Sequence, residues 1–244
     1  MCLTLVALPW LPTGWTLLAV LLISGAGALG MFPLYHAFTQ DISGKHQGNI
    51  TGMAGLTAAN MLSDQGHDVV VIEKARGPGG RMSTRRNEDL RFDHGAQYFT
   101  ARDPLFLQRV MAWQERGLVS TWDARIATIG DRNGNKQTQN TDRFVAIPGM
   151  NAICSELARE LPDCRFNWAL RKLKRLEDGW ILTSDKGQTL ECDVLVLTTP
   201  PEQARQLLAD PEIDEVTDGV EMMPCWALML VLDKPLFAEY DAAF

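Results

Sequence analysis

The amino-acid sequence predicts an α/β fold with a parallel sheet and a partial antiparallel domain, preceded by a transmembrane helix. Three observations support this prediction. Residues 15–35 form an uncharged apolar run, residues 48–73 follow the order Gly-rich turn, helix and β-branched strand, and residues 170–192 contain short alternating strands. We therefore divide the chain into a hydrophobic segment with its loop, residues 1–47, and a globular domain, residues 48–244.

Composition limits the functions that the globular part can have. The 244 residues include 23 Lys and Arg against 30 Asp and Glu, which gives a formal net charge of −7. An acidic chain repels phosphate backbones, so nucleic acid is not an expected partner. The five cysteines are widely spaced and form no C-x-x-C pair, so they indicate neither a disulfide framework nor a zinc site. We expect a reducing compartment.

The first forty residues contain no Asp, Glu, Lys or Arg. At about 1.5 Å per residue, the run from Trp15 to Tyr35 is long enough to cross a hydrocarbon core of about 30 Å. Lys45 and His46 follow it and favour a cytoplasmic C-terminal side. The sequence thus predicts a membrane-anchored protein with a cytoplasmic globular domain, or a cytoplasmic protein if the N-terminal segment is an artefact of a chimeric gene model.

The stretch LLISGAGALGMFPLYHAFTQDISGKHQGNITGMAG resembles a transmembrane helix and loop of a major facilitator superfamily transporter, over about residues 1–55. The resemblance implies a piece of a many-helix bundle. Because one or two spans cannot form a transport pathway, transport itself is not expected. A simple anchor for a soluble domain and a stray fragment joined by recombination or misassembly are the alternative interpretations.

The next segment has the order of a dinucleotide-binding βαβ unit. Leu56 to Gln65 is helical in composition, and Gly66 follows it as a helix-terminating glycine would. The β-branched run from Asp68 to Ile72 is typical of a strand buried on both faces, and it ends at Glu73. In such units glycines let backbone N–H groups approach a pyrophosphate, and the acidic residue accepts hydrogen bonds from ribose hydroxyls.

The glycine fingerprint G-x-G-x-x-G is incomplete in this sequence. Gly52 and Gly55 fill its second and third glycine positions, whereas Ile50 occupies the first. The strand that should precede it is also atypical, since the polar stretch GKHQGN stands there. A glycine pair alone is equally typical of a helix that begins at a tight turn.

The motif GPGGRMSTRR at residues 77–86 is more specific. With RFDHGAQYFTARDPLF, it resembles the bacterial renalase-like branch of the flavin-dependent amine oxidase superfamily, from about residue 52 onward. The resemblance implies FAD as cofactor, with the ribose on Glu73 and an aliphatic contact near Leu170. The expected cofactor-binding residues are Gly52, Gly55, Glu73, Lys74, Arg76, Gly80, Arg81, Gln97 and Leu170.

The same resemblance implies an oxidoreductase that transfers hydride from an amine or a reduced nicotinamide-type substrate to flavin, with oxygen as the acceptor. It also implies that the globular domain is incomplete at its C-terminus, because family members continue into a further FAD-binding motif. The residues indicate no catalytic base. A non-catalytic nucleotide-binding remnant and a transporter-derived membrane fragment are the alternatives.

Several local expectations follow for the rest of the chain. Gln97 and Tyr98 are candidate neighbours of the flavin or substrate, and His94 is more typical of a structural histidine than of an acid or base. An amphipathic helix is expected over Leu105 to Leu118, and Asn151 is expected to cap the next helix. A meander, a buried strand and a substrate-domain strand are expected at residues 169–192, 193–199 and 224–237.

Overall fold

The computed structural model describes part of the chain. The described residues are 51–127, 142–209, 215, 217, 218, 220, 222, 226–234 and 239–243. The predicted transmembrane segment and loop, residues 1–47, lie outside the described residues, as does the atypical stretch that ends at Ile50. Within the described parts of the chain, no helix is long and apolar enough to cross a membrane.

The first helix and strand form the beginning of the predicted βαβ unit. Helix α1 spans Thr51–Asp64 and strand β1 spans Val70–Ile72. Gly66 has φ of +85°, which confirms a helix that ends at a glycine. Strand β1 pairs in parallel with β8, Asp163–Arg165. The expectation of a strand buried on both faces is wrong for β1, whose residues are half-buried because β8 is its one partner in the described structure.

Short antiparallel strands follow β1. Strands β2, Thr84–Asn87, and β3, Leu90–Asp93, form a hairpin that starts just beyond a 3₁₀ turn at Gly80–Met82. A three-stranded sheet has the order β4–β7–β5, with these bounds: β4 Phe99–Thr100, β5 Val119–Thr121 and β7 Arg143–Ala146. A parallel pair joins two further strands, β6 Ile126–Ala127 and β12 Ala242–Ala243.

The predicted meander is confirmed. Its strands are β9 Leu170–Leu176, β10 Gly179–Ser184 and β11 Thr189–Cys192, and they form an antiparallel sheet with β10 in the centre. Register is fixed on one side by Leu182 opposite Leu173, and on the other by Leu182 opposite Leu190. Leu182 is buried because it lies between Leu173 and Leu190 on the two neighbouring strands.

Three helices enclose the main core. Helix α2 spans Pro104–Glu115 and helix α3 spans Asn151–Arg159. The predicted amphipathic character of α2 is confirmed, although it ends three residues earlier than Leu118. On its buried face, the Phe106 ring packs against Phe99, which also packs against Phe144. The core side chains include Met53, Phe99, Phe106, Val110, Trp113, Phe144, Met150, Ile153 and Leu157.

One buried polar side chain joins α1 to α3. Asn60 Nδ2 donates hydrogen bonds to the carbonyl oxygens of Leu56 and Leu157, both over 2.9 Å. Since Asn60 is buried, these bonds offset the cost of removing its amide from water. They fix the relative position of the two helices whose first turns lie near the candidate site.

Two predicted strands and one predicted cap are wrong. Residues 193–199 form no strand pairing in the described structure, and Val194 and Val196 are 76% and 57% exposed. Residues 226–232 likewise lack strand pairing, and Trp226 is 96% exposed. The physical reason is that strands need a hydrogen-bonded neighbour, and the described residues supply none beside these two segments. Asn151 is the first residue inside α3, so it does not cap that helix.

Candidate functional site

The Gly-rich turn lies directly against the start of α1. A Cβ atom on Gly52 would lie 3.1 Å from the Gly79 carbonyl carbon and 3.2 Å from the Gly80 nitrogen. Gly79 and Gly80 have φ angles of +138° and +51°, which side-chain-bearing residues rarely adopt. The two main chains can therefore meet only because these residues are glycines. The contact leaves a surface of backbone at a helix N-terminus, where unpaired N–H groups favour an anion.

Glu73 is held at the carboxyl end of β1. Its main-chain N–H donates to the Arg165 carbonyl oxygen over 2.9 Å, and its own carbonyl oxygen accepts from Trp168 N over 3.0 Å. Glu73 Oε1 accepts from the Ala75 N–H over 2.8 Å. Within the described structure Oε2 has no hydrogen-bond partner. The carboxylate is thus fixed through one oxygen and can accept a ligand hydroxyl with the other.

The structure brings Leu170 toward the same strand end but directs Lys74 elsewhere. Asn167 N donates to the Ala75 carbonyl oxygen over 2.9 Å, so the chain entering β9 runs beside the residues after β1. Leu170 begins β9 and is half-buried. Lys74 Nζ donates to Gln203 Oε1 over 3.4 Å, on helix α4, Pro201–Leu208. Lys74 therefore faces α4, and a role for it at the cofactor stays a prediction.

The segment after β3 passes over the main chain of Arg81. Ala96 N donates to the Arg81 carbonyl oxygen over 3.1 Å, and a Cβ on Gly95 would lie 1.9 Å from that oxygen. Gln97 follows in the same segment and its side chain is exposed. Burial lowers the pKa of the Arg81 guanidinium. The turn at Gly80 thus lies against Gly52, and the segment that leads to Gln97 lies against the main chain of Arg81.

Gly55 lies against Thr198, the first of two threonines that the sequence analysis did not single out. A Cβ on Gly55 would lie 2.7 Å from Thr198 Oγ1, so the chain before α4 packs tightly on the second turn of α1. The next side chain, Thr199, has a buried Oγ1 that has no hydrogen-bond partner in the described structure. A buried hydroxyl of this kind is costly unless a ligand or a water molecule satisfies it. The local signal for this pair is two polar residues between a β-branched run and Pro200.

Tyr98 packs against other side chains, whereas His94 has no hydrogen bond, ion pair or ring contact among the described residues. Tyr98 stacks on Trp122 with ring centroids 5.4 Å apart, and the Arg143 guanidinium lies 5.5 Å from its ring centre. His94 is exposed, and neighbouring Asp93 uses its carboxylate to accept hydrogen bonds from other residues. The expectation that His94 is a satisfied structural histidine is not supported by a contact in the described residues.

The described residues contain neither a disulfide nor a group of side chains that could hold a metal ion. Three cysteines are described, and all are free thiols: Cys154, Cys164 and Cys192. In the part of the chain that the structure describes, no group of three His, Cys, Asp or Glu side chains could hold a metal ion. The candidate site itself offers backbone amides, a carboxylate, hydroxyls and a guanidinium, which suit a nucleotide cofactor.

A Rossmann-like dinucleotide site is thus the class that the fold and this geometry define. Residues 51–112 match the NAD(P)-binding Rossmann-like domain family. Residues 124–242 match the flavin containing amine oxidoreductase family. Together the two matches support an FAD-dependent amine oxidase-type superfamily for this chain, and they support FAD as its cofactor.

Solved structures of oxidases have a similar fold. A triple mutant of putrescine oxidase is 15% identical, with a TM-score of 0.52, and the match covers 64% of this chain and 58% of that chain. A protein named as a protoporphyrinogen oxidase from Exiguobacterium sp. 255-15 is 14% identical, with a TM-score of 0.50, and the match covers 69% of this chain and 62% of that chain. Each match therefore spans less than two thirds of the solved structure, and the likeness shows the fold alone.

Proposed function

We propose that this protein is an FAD-dependent oxidoreductase of the renalase-like branch. Its reaction would be hydride transfer from an amine or a reduced nicotinamide-type small molecule to flavin, with oxygen as the final acceptor. The observation that supports this proposal best is the contact between Gly52 and Gly80, because it joins a helix N-terminus to a Gly-rich turn. Glu73 at the end of the adjacent β1 adds the acceptor that a ribose requires.

Different residues of the site would bind different parts of the cofactor. The backbone N–H groups at Gly52 and the guanidinium of Arg81 would bind the pyrophosphate, since both favour negative charge. Glu73 Oε2 would accept a ribose hydroxyl, and Leu170 would pack against the adenosine. When bound, the flavin would supply the hydride acceptor. The chain's own part is to hold the cofactor and to position the substrate through the segment that contains Gln97.

The Thr199 hydroxyl supports cofactor binding at this site independently of the glycine contact. Its buried Oγ1 has no partner in the described structure, yet it lies one residue from Thr198, which contacts Gly55 on α1. A hydrogen bond to the cofactor would offset the cost of burying that hydroxyl, about 1–3 kcal/mol. We therefore add Thr199 to the cofactor-binding residues.

FAD titration of the purified full-length protein tests this function. We expect wild-type protein to quench flavin fluorescence with one site per chain, and Glu73→Gln to weaken binding about tenfold, the equivalent of about 1.4 kcal/mol. Glu177→Gln removes the same charge from the exposed β9–β10 turn and should bind as wild type does. Equal FAD affinity in the Glu73 and Glu177 variants would contradict the proposed role of Glu73, and a wild-type protein without FAD affinity would contradict the function.

A second candidate is non-catalytic nucleotide binding. Val194 and Val196 are exposed just before Thr198, so this side of the site is open to water, whereas hydride chemistry profits from water exclusion. Anaerobic mixing of the FAD-loaded protein with amines or with reduced nicotinamides separates the two candidates. Loss of the oxidised flavin absorbance supports the oxidoreductase, and FAD binding without any reduction supports the non-catalytic protein.

Membrane attachment and localisation remain predictions. Residues 15–35 would provide the membrane contact, and the free thiols of the described cysteines fit a cytoplasmic globular domain. Fractionation of the expressed chain, compared with a chain that begins at residue 48, tests the attachment. The likeness of residues 1–55 to a transporter segment stays a prediction in the same sense.

A further inference from the structure

A cavity of about 440 Å³ lies outside the glycine turn. Three of its lining residues are arginines, Arg76, Arg85 and Arg86, and its apolar lining is Phe92, Met229 and Val231. The β2–β3 hairpin, the loop after β1 and residues 226–232 therefore meet here. The volume falls within the range of small-molecule sites, about 300–1,000 Å³.

The described residues that line this cavity carry charge of one sign. No Asp or Glu is among them, and none of Arg76, Arg85 and Arg86 forms an ion pair within the described structure. The acidic residues nearest in sequence to these arginines are Glu73, Glu88 and Asp89, and none of them lines the cavity. All three arginines are exposed, and an anion bound in the cavity would lower the electrostatic repulsion among them.

The other lining residues fit a ligand that has an apolar or planar part as well as a charge. Asn87 supplies an amide that can donate or accept, and Phe92 supplies a ring face. Arginine forks match the paired oxygens of phosphate and carboxylate better than a point charge does. A dicationic diamine would meet three like charges in the same place.

We propose that this arginine cavity, lined by Arg76, Arg85 and Arg86, binds the oxyanion of the protein's small-molecule substrate, a phosphate or a carboxylate attached to an apolar or planar body. The inference rests on the proposed function, because the ligand is taken to be the substrate of the flavin site. It makes the substrate an anion, and it moves Arg76 from the cofactor-binding set to the substrate-binding set.

Calorimetric titration of the full-length protein with saturating FAD tests the proposal, at about 0.15 M ionic strength where distant charges are screened. The probes are inorganic pyrophosphate, citrate and putrescine. We expect one anion site per chain, with pyrophosphate favoured if the group is a phosphate and citrate favoured if it is a carboxylate. The double variant Arg85→Gln/Arg86→Gln should bind the preferred anion at least tenfold more weakly, and putrescine should not bind.

Arg91→Gln is the control for the loss of one positive charge on this hairpin. Arg91 lies on the same hairpin directly opposite Arg86 and carries the same charge, yet it does not line the cavity. Its anion affinity should stay within about twofold of wild type, and urea titration should show that both variants are folded. Equal anion affinities in the double variant and in Arg91→Gln would overturn the proposal, as would anion-competitive binding of putrescine.

FAD affinity of the same variants separates this proposal from the proposed function. The double variant should bind FAD as wild type does, and an equal loss of FAD and anion affinity would overturn the proposal by making the cavity part of the cofactor site. Anion binding that needs Arg85 and Arg86 in a protein that never binds FAD would keep the oxyanion site and reject the flavoprotein function. No anion binding by FAD-loaded wild-type protein would reject the oxyanion site alone.

Discussion

Asp93 Oδ1 accepts a hydrogen bond from the main-chain N–H of Met150 over 3.0 Å, across 57 positions of sequence. The same oxygen accepts from Thr84 Oγ1 over 2.5 Å, and Thr84 Oγ1 in turn accepts from Asn151 N over 3.3 Å. The two side chains therefore satisfy N–H groups at the start of α3, which has no cap of its own. A carboxylate at a helix N-terminus also interacts favourably with the helix dipole.

Replacing Asp93 should destabilise the fold. Asp93→Ala leaves the Thr84 hydroxyl and the Met150 N–H without their acceptor, and we expect a loss of about 1–3 kcal/mol in the free energy of unfolding. Urea unfolding followed by circular dichroism measures this loss. Asp89→Ala, in the exposed hairpin turn, should change stability by less than about 0.5 kcal/mol. An Asp93 variant as stable as the Asp89 variant would show that the hydrogen bonds do not stabilise α3.

Adding one methyl group at Gly95 should disrupt the candidate cofactor site. A Cβ at this position would lie 1.9 Å from the Arg81 carbonyl oxygen, so the segment must move away from the Gly-rich turn. We expect Gly95→Ala to lose about 1–3 kcal/mol of stability and to weaken FAD binding. Gly77→Ala is the control, because no atom lies within 4 Å of its Cβ position. Equal FAD affinities in these two variants would contradict the close approach.

Asn60 should be needed for the packing of α1 on α3. Asn60→Ala removes both donors to the Leu56 and Leu157 carbonyl oxygens and leaves a small cavity, so we expect a loss of about 1–3 kcal/mol in urea unfolding. Gln65→Ala, at an exposed position beyond the same helix, should have little effect. A loss at Gln65 as large as that at Asn60 would attribute the effect to something other than the buried amide.

Cys154 should be inert to alkylation at neutral pH and should make stability depend on alkaline pH. Burial raises the pKa of its thiol from an ordinary 9.0 to about 12. At pH 8 we expect iodoacetamide to modify the half-buried Cys164 and Cys192 faster than Cys154, as peptide mass spectrometry would show.

The sign of the stability effect follows from that shift. Because the folded pKa is the higher one, the contribution of Cys154 is complete below pH 9 and is lost as pH rises from about 9 to about 12. Urea midpoints of wild type should therefore fall more steeply between pH 8 and pH 10.5 than those of Cys154→Ala. Parallel pH profiles of the two proteins would argue against a thiol that stays protonated in the fold.

Local sequence patterns predicted those elements that depend on near neighbours. The helix before Gly66, the amphipathic helix with Phe106, Val110 and Trp113, and the meander of residues 170–192 all follow from periodicity and turn chemistry. The Gly-rich motif lies against Gly52 through Gly79 and Gly80, and its role at a cofactor stays a prediction.

The same local patterns failed where the outcome depends on distant partners. Asn151 has the residue type of a helix cap, but Asp93 and Thr84 already supply acceptors at that helix start. The run containing Val194 and Val196 has the composition of a buried strand, but the described structure places no strand beside it. Composition gives a segment a tendency to form a strand, but the segment becomes a buried strand only when other strands pack against it and pair with its backbone.

The sequence by itself predicted the class of this protein, since its glycine turn, acidic strand end and family motif all lie within forty residues of one another. Only the tertiary structure decided which side chains share a site. It joined Arg85 and Arg86 to Met229 in one cavity, and it aimed the Asp93 carboxylate at Met150. The physical reason is that contacts between distant residues depend on how helices and strands pack, and that packing is set by the whole core rather than by any local pattern.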